Sequence, residues 1–267
     1  METRIRIRLG DLEVECNGDE AFVTARLPDL VSDLLRRLRD QPAPTPPPSE
    51  PPSPLPGTVS IAGTVINYFN GNPLTAARVS ATGLTPGLSG TSDASGRYAF
   101  SGDSAGAECF LLVTGVQNFV DTATGPFKVA AVPLTLTAFA ATATDLNRQY
   151  TTVGRTRSDD RGVVIVHLLD ASGQPLEMAA ASDVVLAADN GAPVGAGPFF
   201  FGPAGDIDPG LAVSGVFNGR ARAAFLDVPA GGCTLRVTAP NNGLQRATIR
   251  LLANAGAVIA EAALTSS

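Results

Sequence analysis

His167 is the only histidine in the 267 residues, so any general base or histidine metal site would have to be built around it. It stands in Val164-Ile165-Val166-His167-Leu168-Leu169, where strand alternation sets it on one face with Ile165 and Leu169, opposite Val166 and Leu168. With no partner nucleophile in the sequence, the expectation is a buried ring with one hydrogen bond, or one packed at a domain contact. Gly102-Asp103-Ser104-Ala105-Gly106 spells G-x-S-x-G, but that string works only on a strand-to-helix turn beside a histidine and an acid. Here it falls between two predicted strands and reads as a hairpin loop. Asp206-Ile207-Asp208, Asp159-Asp160 and Asp189-Asn190-Gly191 offer carboxylates without the spacing that converges the oxygens of a calcium loop. Cys16, Cys109 and Cys233 lie too far apart for a dense disulfide scaffold or a C-x-x-C site. They read as free thiols of a reducing compartment, with Cys109 and Cys233 as small apolar strand residues. No phosphate-binding loop or dinucleotide fingerprint occurs. No catalytic residue, cofactor or metal is therefore expected, and a hydrolase using Ser104 or His167 is the weakest alternative.

The residues with the clearest binding pattern are apolar. Leu30, Val31, Leu34, Leu35 and Leu38 recur as one helical stripe, with Arg36, Arg37 and Arg39 at the C-terminal end, where they complement the helix dipole. Before them, Arg4-Ile5-Arg6-Ile7-Arg8-Leu9 alternates with period two, Gly10-Asp11 turns, and Leu12, Val14 and Cys16 alternate again. Asp19 caps a helix beginning near Glu20. Residues 1–40 thus form a ββα module holding 16 of the chain's 44 charged residues. A unit of that size, with no cystine or metal ligands, seldom buries enough surface to stand alone. Its stripe should be covered by a second copy or by another protein, making residues 1–40 a docking or oligomerisation module.

Residues 41–57 carry nine prolines in 17 positions and read as a polyproline II spacer. From Thr58 onward the chain shows short β-type runs with frequent turn signals, the grammar of a sandwich. Two stretches repeat it: 58–143, and 144–267 with an insertion near 189–214. The expected fold is mainly β: a small N-terminal ββα module, a Pro-rich linker and two antiparallel, seven-stranded-type β-sandwich domains.

Gly63-Thr64-Val65, Gly71-Asn72-Pro73-Leu74, Val79 and Thr91-Ser92-Asp93 through Gly96-Arg97-Tyr98-Ala99-Phe100 resemble a carboxypeptidase regulatory-like domain of the prealbumin-like superfamily. The second stretch is similar through Gly173-Gln174-Pro175-Leu176 and Phe225 to Leu235, including Val228-Pro229-Ala230-Gly231. The resemblance implies seven-stranded sandwiches with no catalytic residues, serving as binding, spacer or stability modules, often outside the cell. Prealbumin-fold enzymes use several histidines, or Tyr and His iron ligands, which one histidine cannot supply.

The charge of −6 and the absence of a basic stripe exclude nucleic acid as a partner. No apolar run is long enough to span a bilayer, and a small-molecule ligand is not expected. Residues 1–8 lack the apolar region of a signal peptide, so a cytoplasmic location is expected, with a non-classical export route as the other option. The functional expectation is a non-enzymatic adaptor or structural subunit, docking through residues 1–40 and presenting two sandwiches to a protein partner. The alternative is an exported surface, adhesion or glycan-binding module.

Overall fold

The computed structural model describes residues 3–9, 12–18, 58–103, 108–129, 133–239, 245–254 and 256–266. The chain divides into two compact units, Met1–Leu55 and Pro56–Ser267. In the first, β1 (Thr3–Leu9) and β2 (Leu12–Gly18) pair antiparallel from Thr3↔Gly18 to Leu9↔Leu12, and the expected Gly10-Asp11 turn lies outside the described residues. The expected helix with Leu30, Val31, Leu34, Leu35 and Leu38 lies outside the described residues, as does the proline-rich stretch.

The second unit begins with β3 (Thr58–Asn67), β4 (Arg78–Thr82), β5 (Leu88–Thr91) and β6 (Arg97–Asp103). Next come β7 (Glu108–Thr114), β8 (Thr122–Thr124), β9 (Phe127–Lys128) and β10 (Leu134–Ala140). β3 is central in one sheet, antiparallel to β6 and parallel to β10, while β4 joins β5 and β7 in the facing sheet. Alternation along β7, with Cys109, Leu111 and Val113 buried, turns every second side chain onto a core with Ile61, Val65, Val79 and Tyr98.

Helix α1 (Ala143–Thr152) follows. Thr142 caps it, accepting from the Asp145 N–H at 2.9 Å, and Leu146, Gln149 and Tyr150 form its buried face. The chain continues as β11 (Arg161–Leu169), β12 (Val184–Ala188), β13 (Ala196–Phe200), β14 (Val216–Phe217) and β15 (Arg220–Pro229). It ends with β16 (Gly231–Thr238), β17 (Gln245–Ala253), β18 (Ala257–Ala263) and β19 (Thr265–Ser266). β11 repeats the role of β3: it lies between antiparallel β15 and parallel β18, with β12, β16 and β17 in the facing sheet. The parallel pairs β3–β10 and β11–β18 add to the antiparallel ladders expected from the sequence.

The repetition extends to a side-chain device. Pro73-Leu74-Thr75-Ala76-Ala77 and Pro175-Leu176-Glu177-Met178-Ala179 each leave the first strand through a bridge, Ile66↔Pro73 and Leu169↔Pro175. Buried Ser92 Oγ accepts from the Ala77 N–H at 3.0 Å and donates to the Leu74 carbonyl at 2.6 Å. Ser214 Oγ likewise accepts from the Ala179 N–H at 3.0 Å and donates to the Leu176 carbonyl at 2.8 Å. Each hydroxyl satisfies a backbone donor and an acceptor that the turn would otherwise leave unpaired.

The two repeats are joined edge to edge. β18 pairs with β11 on one side and with β8 on the other, Ala257↔Thr122 to Ile259↔Thr124, so one sheet runs from β13 to β5 through both. β11 is consequently buried from Gly162 to Leu168 on both faces. Val164, Val166 and Leu168 face the core with Leu186 and Leu235, whereas Val163 and Ile165 face α1, Tyr68 and Phe201. Gly256 permits the join, because a Cβ there would lie 2.0 Å from the Asp121 carbonyl oxygen. Gly256→Ala is expected to destabilise the unit by about 1–3 kcal/mol. Gly87→Ala, at an open position, should stay within about 0.5 kcal/mol. Urea unfolding of the two variants beside the wild type checks both values.

Candidate functional site

A cluster of polar side chains in the second unit lies where the repeats meet. The register sets Arg222, His167 and Glu261 side by side on β15, β11 and β18. Tyr68, just beyond β3, covers this row: its hydroxyl is 3.0 Å from His167 Nε2 and the two rings stack at 5.6 Å. Phe139 meets both rings edge-on, at 5.5 and 5.9 Å from Tyr68 and His167. Arg222 is 5% exposed, and its guanidinium lies 4.5 Å from the Phe201 ring centroid. The Arg222 Nε has no hydrogen-bond partner among the described residues.

Electrostatics fix the proton positions. Burial, then the positive charges of Arg220 and Arg222, lower the His167 pKa from 6.5 to about 3. The ring is neutral at ordinary pH, and because the Tyr68 oxygen takes a hydrogen bond from Arg222, its own O–H is assigned to Nε2 and the ring N–H to Nδ1. Glu261 Oε1 stands 4.0 Å from Nδ1, but that side chain is 67% exposed and too well solvated to hold a second proton on the ring. Burial raises the Tyr68 pKa, with Arg222 beside the hydroxyl opposing the shift. A base this weak beside an acid this reluctant moves no proton near neutral pH. The arrangement clamps the junction between the repeats.

A second polar cluster ties α1 to the segment around Asp206. Arg148 on α1 binds Asp206 through Nε and Nη2 at 2.9–3.1 Å. Gln149, fully buried, donates to Asp206 Oδ1 at 2.6 Å and accepts from the Ile207 N–H at 2.8 Å. Asp206 is thus committed to α1, and Asp208 Oδ1 accepts from the Gly210 N–H within its own turn. Asp93 and Asp170 are turn residues, each accepting from the backbone two and four positions on.

Ser104 lies outside the described residues, between strands β6 and β7, as do the five apolar positions of the helical stripe. Cys109 and Cys233 are free and buried, and burial pushes the Cys109 thiol up to about 11. Sequence reasoning located His167 but missed Tyr68, Arg222 and Phe201. Their only signal was an arginine in an otherwise apolar strand, Ala221-Arg222-Ala223-Ala224-Phe225.

No protein-family model matches the chain, and neither does any curated protein. Among solved structures it is similar to the Bacillus anthracis TIE protein: 12% identity, 79% of this chain and 34% of that chain, TM-score 0.26. The chain therefore spans about a third of that protein's length. It is also similar to the shaft pilin SpaA from Lactobacillus rhamnosus GG, with 11% identity, 79% and 99% coverage and a TM-score of 0.24. BcpA, the major pilin subunit of Bacillus cereus, gives 10% identity, 79% and 99% coverage and a TM-score of 0.25. The likeness is one of strand-rich β-sandwich fold alone. The expected cytoplasmic location is corrected here, because pilins are proteins of the cell surface and conflict with it. That expectation rested on the missing apolar stretch in residues 1–8, a mark of one export route only.

The low His167 pKa sets a pH dependence. Between 6.5 and about 3 the unfolded chain binds a proton that the folded chain refuses. This contribution to stability is complete above the upper value and is lost as pH falls through the window, at up to about 1.4 kcal/mol per pH unit. His167→Gln should flatten that acid limb in urea unfolding at pH steps from neutral downward. Tyr68→Phe, which leaves Nε2 unpaired, should cost about 1–3 kcal/mol at neutral pH.

Proposed function

We propose that the protein is a non-enzymatic structural subunit of a larger protein assembly. It docks through residues 1–40, with Leu30, Val31, Leu34, Leu35 and Leu38 as the contact ridge, and presents its second unit to a protein partner. The observation that carries this reading is the use of polar side chains in that unit. His167, Tyr68, Arg222, Arg148, Gln149 and Asp206 are consumed in holding segments together, which suits a body that bears contacts rather than one that turns over a substrate.

Within this reading, residues 58–143 and 144–267 are two sandwich domains, the second with an insertion near 189–214, and residues 41–57 space them from the docking module. The repeated Ser92 and Ser214 devices, and the turns after β3 and β11, support kinship with carboxypeptidase regulatory-like domains. A glycan-binding role is less well supported: Tyr68, Tyr98 and Tyr150 are all buried and the chain has no Trp, leaving neither ring type to stack on a sugar.

The test is the mass of the full-length chain by size exclusion with light scattering. Wild type should associate, and Leu34→Asp/Leu38→Asp should weaken association more than about tenfold, since each buried leucine contributes about 1.5–3 kcal/mol. A double variant that associates like wild type overturns the ridge.

A further inference from the structure

A lane one strand wide runs beside the junction, between the edges of β10 and β18, and at its near end the chain itself lies in it. Val120 N donates at 2.9 Å to the carbonyl of Ala141, the residue after β10, and Asp121 O accepts from Ala257 N of β18 at 2.9 Å. One extended segment thus bonds both edges, as a strand inside a sheet does. The segment then turns away: Gly125 N donates to Ile259 O at 3.2 Å, and beyond Pro126 the chain pairs Phe127 with Cys109. Past that point β10 and β18 flank a groove of about 510 Å³, lined by residues of both.

The backbone groups along this groove are those that neither strand uses elsewhere. Even-numbered residues of β10 turn toward β3: Leu136 O accepts from the Tyr98 O–H at 2.8 Å, and Ala140 O from the Tyr68 N–H at 2.9 Å. Even-numbered residues at both ends of β18 turn toward β11, where Val163 N donates to Gly256 O and Leu264 N to Leu169 O, each at 3.0 Å. Alternation therefore turns the N–H and C=O groups of Thr135, Thr137, Phe139, Glu261 and Ala263 into the groove. There they take no backbone partner among the described residues. Open edge groups on both sides of a gap one strand wide suit an added strand.

The two faces of the lane define the chemistry of that strand. On the inner face Leu136 packs on the core of the first repeat, and Ala260 and Ala262, on either side of Glu261, are buried in that of the second. On the outer face stand Thr135, Thr137, Phe139 and Glu261, the one charged residue of the lining, whose side chain is 67% exposed. A strand laid between them sets alternate side chains on the two faces, apolar ones inward and a cation outward against Glu261.

We propose that this lane receives a single extended segment of a partner protein, apolar at every second residue and basic at the position beside Glu261. Both edges of the segment must be free, so a lone strand or tail fits and one strand of a hairpin does not. The inference rests on the structural-subunit reading and gives the partner of the second unit a chemistry.

Three labelled nonapeptides that alternate threonine with valine test it, bearing arginine, glutamate or threonine at the central position. In fluorescence anisotropy with the full-length chain, the arginine peptide should bind about tenfold tighter than the glutamate peptide. Its binding should slow amide hydrogen exchange at Thr135, Thr137, Phe139, Glu261 and Ala263. Exchange at Leu136, Ala138 and Ala262, whose N–H groups turn to β3 and β11, should not change. Glu261→Gln should remove the preference for arginine, and Glu261→Arg should reverse it. If urea unfolding shows that Glu261→Arg is not folded, Glu261→Gln decides. No binding, or protection along one edge only, overturns the strand in the lane, and a charge preference kept in Glu261→Gln overturns the basic segment. Leu34→Asp/Leu38→Asp should bind the peptides like wild type, because the lane lies in the second unit. Self-association lost in that double variant, with no peptide bound by wild type, overturns the lane and leaves the leucine ridge standing. The reverse result overturns the ridge and leaves the lane.

Discussion

The pairing of β18 with β8 is the constraint on which the second unit depends. Three residues, Ala257 to Ile259, lie between a strand of their own repeat and one from the other. That position removes two sheet edges from solvent at once, which a pair of separate sandwiches would have to protect by other means. It also forces β11 to be covered on both faces, since α1 and the Tyr68 turn must close the side that would otherwise face water. The glycine at 256 is the local condition for all of this, because any side chain would collide with the Asp121 carbonyl.

The polar groups at the junction follow from the same burial. An arginine as enclosed as Arg222, with no carboxylate against it among the described residues, is held by the face of Phe201 and by its position beside the Tyr68 hydroxyl. Burial first, and then the two guanidiniums near the imidazole, disfavour a protonated ring, so His167 is kept as a neutral acceptor. Charge, aromatic face and hydroxyl each restrict where the others can sit, and together they set how the Tyr68 turn lies on the second repeat.

Much of this was legible in the sequence, and the exceptions have physical causes. Short β-type runs between turn signals revealed β3, β7, β10 and β15 to within a few residues; β7 and β10 alternate more and less buried positions, whereas β15 is buried along most of its length. The apolar residues on either side of His167, from Val163 to Leu169, marked a strand and its lone histidine as buried. Helix α1 escaped notice because its buried face is only Leu146, Gln149 and Tyr150, one of them polar, and the Thr142 cap with Asp145 is a weak sign alone. β8 and the seam escaped because Thr122–Thr124 is too short to show a period. Its partners across the seam, on β18, are more than a hundred residues away, and pairing at that distance leaves no local trace. β13 was hidden in a glycine- and proline-rich stretch, where composition suggested only loop.

The direction of the seam strands has a mechanical consequence. β8 and β18 run parallel, so tension that slides one repeat past the other along the strands loads the hydrogen bonds of all three residue pairs together. Peeling the repeats apart sideways would break them singly. Along that axis the repeats should bear strain as one body up to a threshold and then part abruptly.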